Sequence, residues 1–433
     1  MYADINELFL YRNFENQSLF ENFVGIINNY ESINYEEIKK NIYQCANELV
    51  EFGVRYGLAG NLWHGFLTYS LVNDENCFSK SLEINGSAEG TITRLAINDF
   101  DLFKRLYDFD LSLIDKVLGI KCLCFISDFV SSDCTKAIID PQTVWALKEL
   151  TGVLGSASHN QEFYNHISSY YRRFGVGKFA IYRAFKVVSG GNLEGQSANI
   201  VPILNTEPVT LEDLVGYELQ KKELIKNTED FINGHRANNV LLYGDSGTGK
   251  STSIKAVLNR YGSRGLRMIE VYKHQFGYLQ EIIQQVKDRN YKFIIYMDDL
   301  SFEEYETEYK YLKAIIEGGL EIHPQNVLLY ATSNRRHLIR EKWSDKADRD
   351  DDLHTNDTVQ EKLSLAARFG LSILYISPNK KEFNNIVSVL ADKHNISLPE
   401  DQLLLEANRW EMRHGGLSGR TAQHFITYLK TKV

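Results

Sequence analysis

The chain has 433 residues, 43% of them hydrophobic and 12% aromatic, with only six prolines; this is enough apolar material for about two or three domains and argues against long disordered tracts. A net charge of −9 gives no electrostatic reason to expect nucleic acid as the principal ligand, although a local basic patch on the folded surface stays open. No run reaches the length of a membrane-spanning helix, and the start Met1-Tyr-Ala-Asp-Ile-Asn-Glu7 lacks the basic and apolar regions of a signal peptide, so a cytoplasmic protein with no membrane partner is expected.

Residues 1–190 read as a mainly helical region. Phe20, Phe23, Val24 and Ile27 fall at i, i+3, i+4 and i+7, and Phe100, Phe103 and Leu106 continue a similar stripe; such aromatics belong to a core rather than a ligand box. All five cysteines (Cys45, Cys77, Cys122, Cys124, Cys134) lie in the first third. An odd count is no disulfide framework, and Cys122-x-Cys124 is too tight for a zinc knuckle, so reduced and mostly buried thiols are expected. Gly175-Val-Gly-Lys178 lacks the leading glycine, the spacing and the hydroxyl residue of a phosphate loop and reads as a turn. Ser189-Gly-Gly-Asn-Leu-Glu-Gly-Gln-Ser-Ala198 is rich in Gly, Ser and Asn, and residues 191–207 are taken as a linker.

Beyond the linker, strands and helices alternate. Val240–Tyr243, Phe293–Met297 and Val327–Ala331 are apolar throughout, as central parallel strands covered on both faces should be, and Leu371–Ile376 completes the set. Leu266–Tyr272 is interrupted by Arg267 and Glu270, which suits a sheet edge. Between them, Ile254, Val257, Leu258 and Tyr261 mark one helix and Gly277–Lys287 another. The pattern predicts an α/β domain over 208–377 with a doubly wound, five-stranded parallel sheet. Residues 378–433 add three amphipathic helices: one marked by Phe383, Ile386, Val387 and Leu390, one over roughly 400–413, and one marked by Ala422, Phe425, Ile426 and Leu429, with Ser418 as N-cap.

The run Val240-Leu-Leu-Tyr-Gly-Asp-Ser-Gly-Thr-Gly-Lys-Ser-Thr252 carries the pattern G-x-x-x-x-G-K-[ST] at Gly244, Gly249, Lys250 and Ser251. Glycines let the backbone curl so that the N–H groups of Asp245, Ser246, Gly247, Thr248 and Thr252 join theirs around one anion. Lys250 reaches the outer phosphates, the Ser251 hydroxyl suits Mg²⁺, and the helix opening at Lys250 adds its positive end. The strand Phe293–Met297 delivers Asp298-Asp299 to its C-terminal end, where a doubly wound sheet places ligands. Asp298 suits the Mg²⁺ water shell, and Asp299 the attacking water. The next strand ends in Thr332-Ser-Asn334, whose amide suits the γ-phosphate or that water.

These features together resemble the AAA+ ATPase module over roughly 205–433. The resemblance implies ATP and Mg²⁺ as ligands, with Leu214-Val215-Gly216-Tyr217 against adenine and Arg420 of Gly419-Arg420 reaching the phosphates from the helical tail. It places Arg368 as an arginine offered to a neighbouring subunit, with Arg335, Arg336 and Arg349 as alternatives, and so implies a homo-oligomeric ring or open spiral. Gly318-Gly-Leu-Glu-Ile-His-Pro-Gln-Asn-Val-Leu-Leu-Tyr-Ala-Thr-Ser-Asn334 is similar to a bacterial family of predicted AAA+ ATP-binding proteins of unknown function. The general pattern ends the acidic strand in Asp-Glu, whereas Asp298-Asp299 stands here, leaving Glu303 or Glu304 as alternative bases. The acidic run Asp345–Asp357 does not match a calcium loop and reads as a solvated loop.

Three functions are compatible with these residues. The first is an ATP-hydrolysing machine that remodels an unknown protein partner held by the N-terminal region. The second is an ATP-gated loader or adaptor with little hydrolysis. The third, a small-metabolite kinase, is disfavoured by the extra strand before Asp298 and by Asn334 and Arg420.

Overall fold

The computed structural model describes residues 2–12, 14–32, 35–130, 138–189, 197–303, 306–317, 324–334, 338 and 365–431. It divides into two compact units, Met1–Arg183 and Ala184–Val433.

The first unit is helical: α1 (Gln17–Asn29), α2 (Tyr35–Tyr56), α3 (Leu62–Asn73), α4 (Cys77–Asn85), α5 (Thr91–Asp108), α6 (Ser112–Leu118), α7 (Cys122–Ser127), α8 (Pro141–Ser156), α9 (Asn160–Phe174) and α10 (Lys178–Ile181). The stripe Phe20, Phe23, Val24 and Ile27 is buried on α1, and Phe100, Phe103 and Leu106 on α5. Helix α3 is apolar around most of its circumference and is buried accordingly. Its Trp63 stacks on Phe23 with ring centroids 4.3 Å apart. The buried Asp99 carboxylate accepts the N–H groups of Phe9, Leu10 and Tyr11, which fixes the start of the chain on α5. The Gly175–Lys178 segment is a turn that opens α10, with φ +72° at both Gly175 and Gly177. The cysteines differ from expectation: Cys45 is buried, but Cys77 and Cys124 are exposed and Cys122 is half-buried, because they sit on outward helix positions. Cys134 lies outside the described residues.

The second unit holds a seven-stranded sheet, β1 (Ala184–Ser189), β2 (Ala198–Pro202), β3 (Val240–Gly244), β4 (Leu266–Glu270), β5 (Lys292–Met297), β6 (Val327–Ser333) and β7 (Leu371–Tyr375), in the order β2-β1-β4-β5-β6-β3-β7. The five expected parallel strands are present, and an antiparallel hairpin of β1 and β2 extends them. Those two strands flank Ser189–Ala198, so the Gly- and Ser-rich stretch connects two strands of one sheet instead of separating two domains. Strand β4 is also not an edge, since β1 covers its outer side. The charged interruption is accommodated internally: the Arg267 guanidinium lies 4.3 Å from the Tyr291 ring centroid and donates to the Gly262 carbonyl at 2.8 Å.

Helices α11 (Glu218–Ile232), α12 (Lys250–Tyr261), α13 (Leu279–Val286) and α14 (Tyr309–Glu317) belong to this unit. The segment Lys273–Tyr278 ahead of α13 is a 3-10 turn rather than part of that helix. Val240, Leu242, Ile294, Tyr296 and Tyr330 pack with Leu224 and Phe231 of α11 and Ile254 and Val257 of α12. The alternate residues Leu241, Phe293, Ile295 and Leu329 are also buried, so β3, β5 and β6 are covered on both faces, whereas β7 is an edge strand with Ser372 and Leu374 exposed. The tail forms α15 (Lys380–Lys393), α16 (Glu400–Glu411) and α17 (Gly419–Lys430) around Phe383, Ile386, Val387, Leu403, Phe425 and Ile426. Ser418 caps α17 by accepting the Thr421 N–H at 3.1 Å. This is an α/β fold whose sheet is followed by a three-helix lid.

Candidate functional site

The sheet register brings the motif residues together. Strand β6 pairs with β5 through Met297 and Ala331 and with β3 through Tyr243 and Ser333. One residue further along, Asp298 meets Thr332 and Gly244 meets Asn334, at adjacent C-terminal strand ends.

The phosphate loop between β3 and α12 needs its glycines. Gly244, Gly247 and Gly249 have φ of +130°, +75° and +92°. A Cβ on Gly244 would lie 2.0 Å from the Tyr375 carbonyl oxygen, and one on Gly249 2.1 Å from Leu214 Cδ1. Lys250 opens α12 and donates to the carbonyls of Gly244 (2.9 Å) and Asp245 (2.6 Å) and to Asn334 Oδ1 (3.1 Å). Burial pulls the Lys250 ammonium below its ordinary value, against the opposing charges of Asp245, Asp299 and Asp298.

Ser251 Oγ donates to Asp298 Oδ1 at 2.6 Å, and Thr332 Oγ1 donates to the same oxygen at 2.6 Å. Burial raises the Asp298 pKa, but these two hydroxyls, the neighbouring Tyr296 phenol and the Lys255 charge outweigh it and hold the carboxyl below the ordinary range. Asp299 adopts a left-handed conformation, φ +49°; its N–H goes to Thr332 Oγ1 at 2.8 Å, and Asn334 Nδ2 donates to its carboxylate at 2.8 Å. The lid reaches the loop directly, with the Arg420 N–H donating to the Gly247 carbonyl at 3.2 Å.

These groups line a cleft of about 920 Å³. Of the residues singled out by sequence, Val215, Tyr217, Ser246, Gly247, Thr248, Gly249, Lys250, Ser251, Thr252, Asp298, Asp299, Asn334 and Arg420 face it. Gly216, Gly244, Asp245 and Arg368 do not. Asp245 turns its carboxylate to the Ser377 N–H at 2.7 Å, and that bond holds its pKa below the ordinary range. Arg368 pairs with Glu317. Glu303 is not among the lining residues, while Glu304, Arg335, Arg336, Arg349 and the run Asp345–Asp357 lie outside the described residues.

The segment Leu214–Tyr217 bridges two cores. Leu214 and Tyr217 pack with the sheet and Val215 with the lid, and the Tyr217 ring stacks on Tyr375 at 5.1 Å. Burial pushes the Tyr217 phenol up to about 12. Sequence reasoning missed Thr332, although its period-two spacing from Asn334 on a strand end places both on one face. It also read Ile386 and Leu390 only as lid core, whereas both also line the cleft, as do Pro208, Val209 and His394.

The residues present fit a phosphate chain and a hard cation. The positive-φ glycines, the start of α12 and Lys250 make an anion cradle, and a hydroxyl paired with a carboxylate is an oxygen donor set of the kind Mg²⁺ takes.

Residues 183–433, well over half of the chain and the whole of the second unit, match a family described as protein of unknown function, DUF815. The chain belongs to this family. The family match reaches only the last residue of the helical unit, and no curated protein matches the chain. Among solved structures, this DUF815 chain is similar to a point variant of RuvB from Thermotoga maritima, with 18% identity, TM-score 0.36, and 51% of this chain and 63% of that one covered. It is also similar to the T. maritima RuvB Holliday junction branch migration motor (14%, TM-score 0.32, 51% and 71% covered) and to a DNA replication initiation factor (18%, TM-score 0.35, 52% and 66% covered). The chain spans under two thirds of the RuvB variant, and likeness at these scores adds nothing to the fold described above.

Proposed function

We propose that the second unit binds and hydrolyses ATP in the cleft between sheet and lid, and that hydrolysis moves the lid to remodel a partner. The observation that carries this reading is the convergence of Lys250, Ser251, Asp298, Asp299 and Asn334 at three adjacent strand ends, with Arg420 backing them from the lid. The loop N–H groups and the α12 N-terminus would hold the phosphates, and Lys250 would exchange its carbonyl partners for phosphate oxygens. Mg²⁺, held by Ser251 and through its water shell by Asp298, would neutralise charge on the outer phosphates. Asp299, fixed by Asn334, would orient the attacking water and accept its proton. Val215 and Tyr217 would flank the base, and because Val215 packs on the lid, occupancy of this pocket would bear on the lid position.

The reading includes a cytoplasmic homo-oligomer, ring or open spiral, in which Arg368 leaves Glu317 to reach a neighbour's site. Unit Met1–Arg183 would then recognise an unknown protein partner. Phosphate release by the full chain, measured beside Lys250→Ala and Asp299→Asn, tests the enzyme assignment. Wild type should turn over ATP and both variants should not; equal rates in all three would remove it. A second reading, an ATP-gated loader with little turnover, is favoured by one observation: Asp299 is a short side chain already engaged by Asn334. Tight ATP binding without phosphate release, even with partner present, would select it.

A further inference from the structure

The acidic turn after β5 poses a structural problem. Asp299 is left-handed, a backbone conformation that is unfavourable for a non-glycine residue and leaves the direction of both carboxylates dependent on whatever holds the turn. Strand β6 supplies the grip through one residue. The Thr332 carbonyl accepts the Leu300 N–H at 2.7 Å, and its hydroxyl accepts the Asp299 N–H at 2.8 Å. The same hydroxyl donates its proton to Asp298 Oδ1 at 2.6 Å. A single oxygen therefore sets the backbone that aims Asp299 and the carboxylate orientation of Asp298. Thr332 is 2% exposed, so bulk water has little access to replace it, and as a β-branched residue it has few rotamers in which its hydroxyl can stray. Asn334 fixes the far end of the Asp299 side chain through its amide nitrogen, while its amide oxygen accepts from Lys250.

We propose that Thr332 is the positioning residue for both carboxylates of the acidic turn, coupling Asp298, which holds the cation's water shell, to Asp299, the water-orienting group. The inference rests on the Mg·ATP reading of the cleft. Outer partners of metal ligands typically contribute 10- to 100-fold to metal affinity, so removing this hydroxyl should act on the cation rather than on the phosphates.

The test uses the full chain as wild type, Thr332→Val and Thr332→Ser. Calorimetric binding of a non-hydrolysable ATP analogue is measured in EDTA and across a Mg²⁺ series, with phosphate release followed in parallel. Thr332→Val should bind the analogue in EDTA within about twofold of wild type, yet need roughly tenfold more Mg²⁺ to reach its tight-binding state. Its kcat should fall with little change in KM, and Thr332→Ser should restore both quantities. Three outcomes would overturn the proposal: an unchanged Mg²⁺ requirement in Thr332→Val, equal losses with and without Mg²⁺, or no rescue by serine. If wild type itself binds no analogue, the reading of the cleft fails, and this inference falls with it.

Discussion

Gly249→Ala perturbs the phosphate loop in two separable ways. Its φ of +92° is a conformation that an L-residue enters at a cost of roughly 1–2 kcal/mol. Its new Cβ would also lie 2.1 Å from Leu214 Cδ1, which must retreat by more than an ångström to reach ordinary contact. Overpacking of this kind costs about 1–3 kcal/mol, so the single substitution should destabilise by about 2–5 kcal/mol. Leu214→Ala alone removes a half-buried side chain and should cost roughly 1–2 kcal/mol. In the double variant the clash is gone and only the backbone strain remains. The double variant should therefore lose about 1–3 kcal/mol less than the sum of the singles. Urea denaturation of the four full-length proteins, followed by circular dichroism, measures that coupling. Additivity within about 0.5 kcal/mol would refute the close approach of the loop to Leu214 and the bridging role given to residues 214–217.

Asp74 in the helical unit is raised from 3.8 to about 7, chiefly by burial, with Glu75 and Asp99 adding to it and Asn76 opposing, and its Oδ2 has no hydrogen-bond partner. Because the folded pKa is the higher one, the stability of the protonated form is present below 3.8 and lost as pH rises through about 7. Asp74→Asn should stabilise the fold at about pH 8 by on the order of 2–4 kcal/mol after allowing for partial exposure, read as a higher thermal midpoint, and leave the midpoint unchanged near pH 4. An equal effect at both pH values would contradict the buried, uncompensated carboxylate. Asp245→Ala should leave ATP affinity within a few-fold of wild type while costing about 1 kcal/mol of stability through the lost Ser377 bond; a large loss of affinity in calorimetry would place its side chain in the cleft after all. Arg267→Met should destabilise the sheet by roughly 2 kcal/mol in urea denaturation, because the stack on Tyr291 and the bond to Gly262 go together, whereas a neutral result would return β4 to a solvated edge.

Much of the second unit was legible because its signals are local. All-apolar strands, a phosphate loop and a strand ending in two aspartates each announce themselves within a dozen residues. What escaped depends on pairing between distant segments. The charged pattern of β4 suits an edge by itself, and only the partner strand β1, some eighty residues earlier, makes it internal. The hairpin of β1 and β2 escaped because the glycines and serines between its strands have the composition of a linker. Within the site, Lys250 and Ser251 are fixed by motif, whereas Thr332 gains its role only from the register that sets it beside Asp298. Asp245 belongs to the motif by position, yet its side chain is claimed by Ser377 on a strand end far along the chain. Leu390 shows a further limit, since one helix face serves both the lid core and the cleft.

The most direct test of the account is calorimetric titration of the full-length chain with ATP and Mg²⁺, beside Lys250→Ala. The wild type should bind one ATP per chain, more tightly with Mg²⁺ than without, and Lys250→Ala should lose most of that affinity. Absence of ATP binding by a folded wild type, or equal binding by the variant, would contradict the assignment of this cleft to a nucleotide.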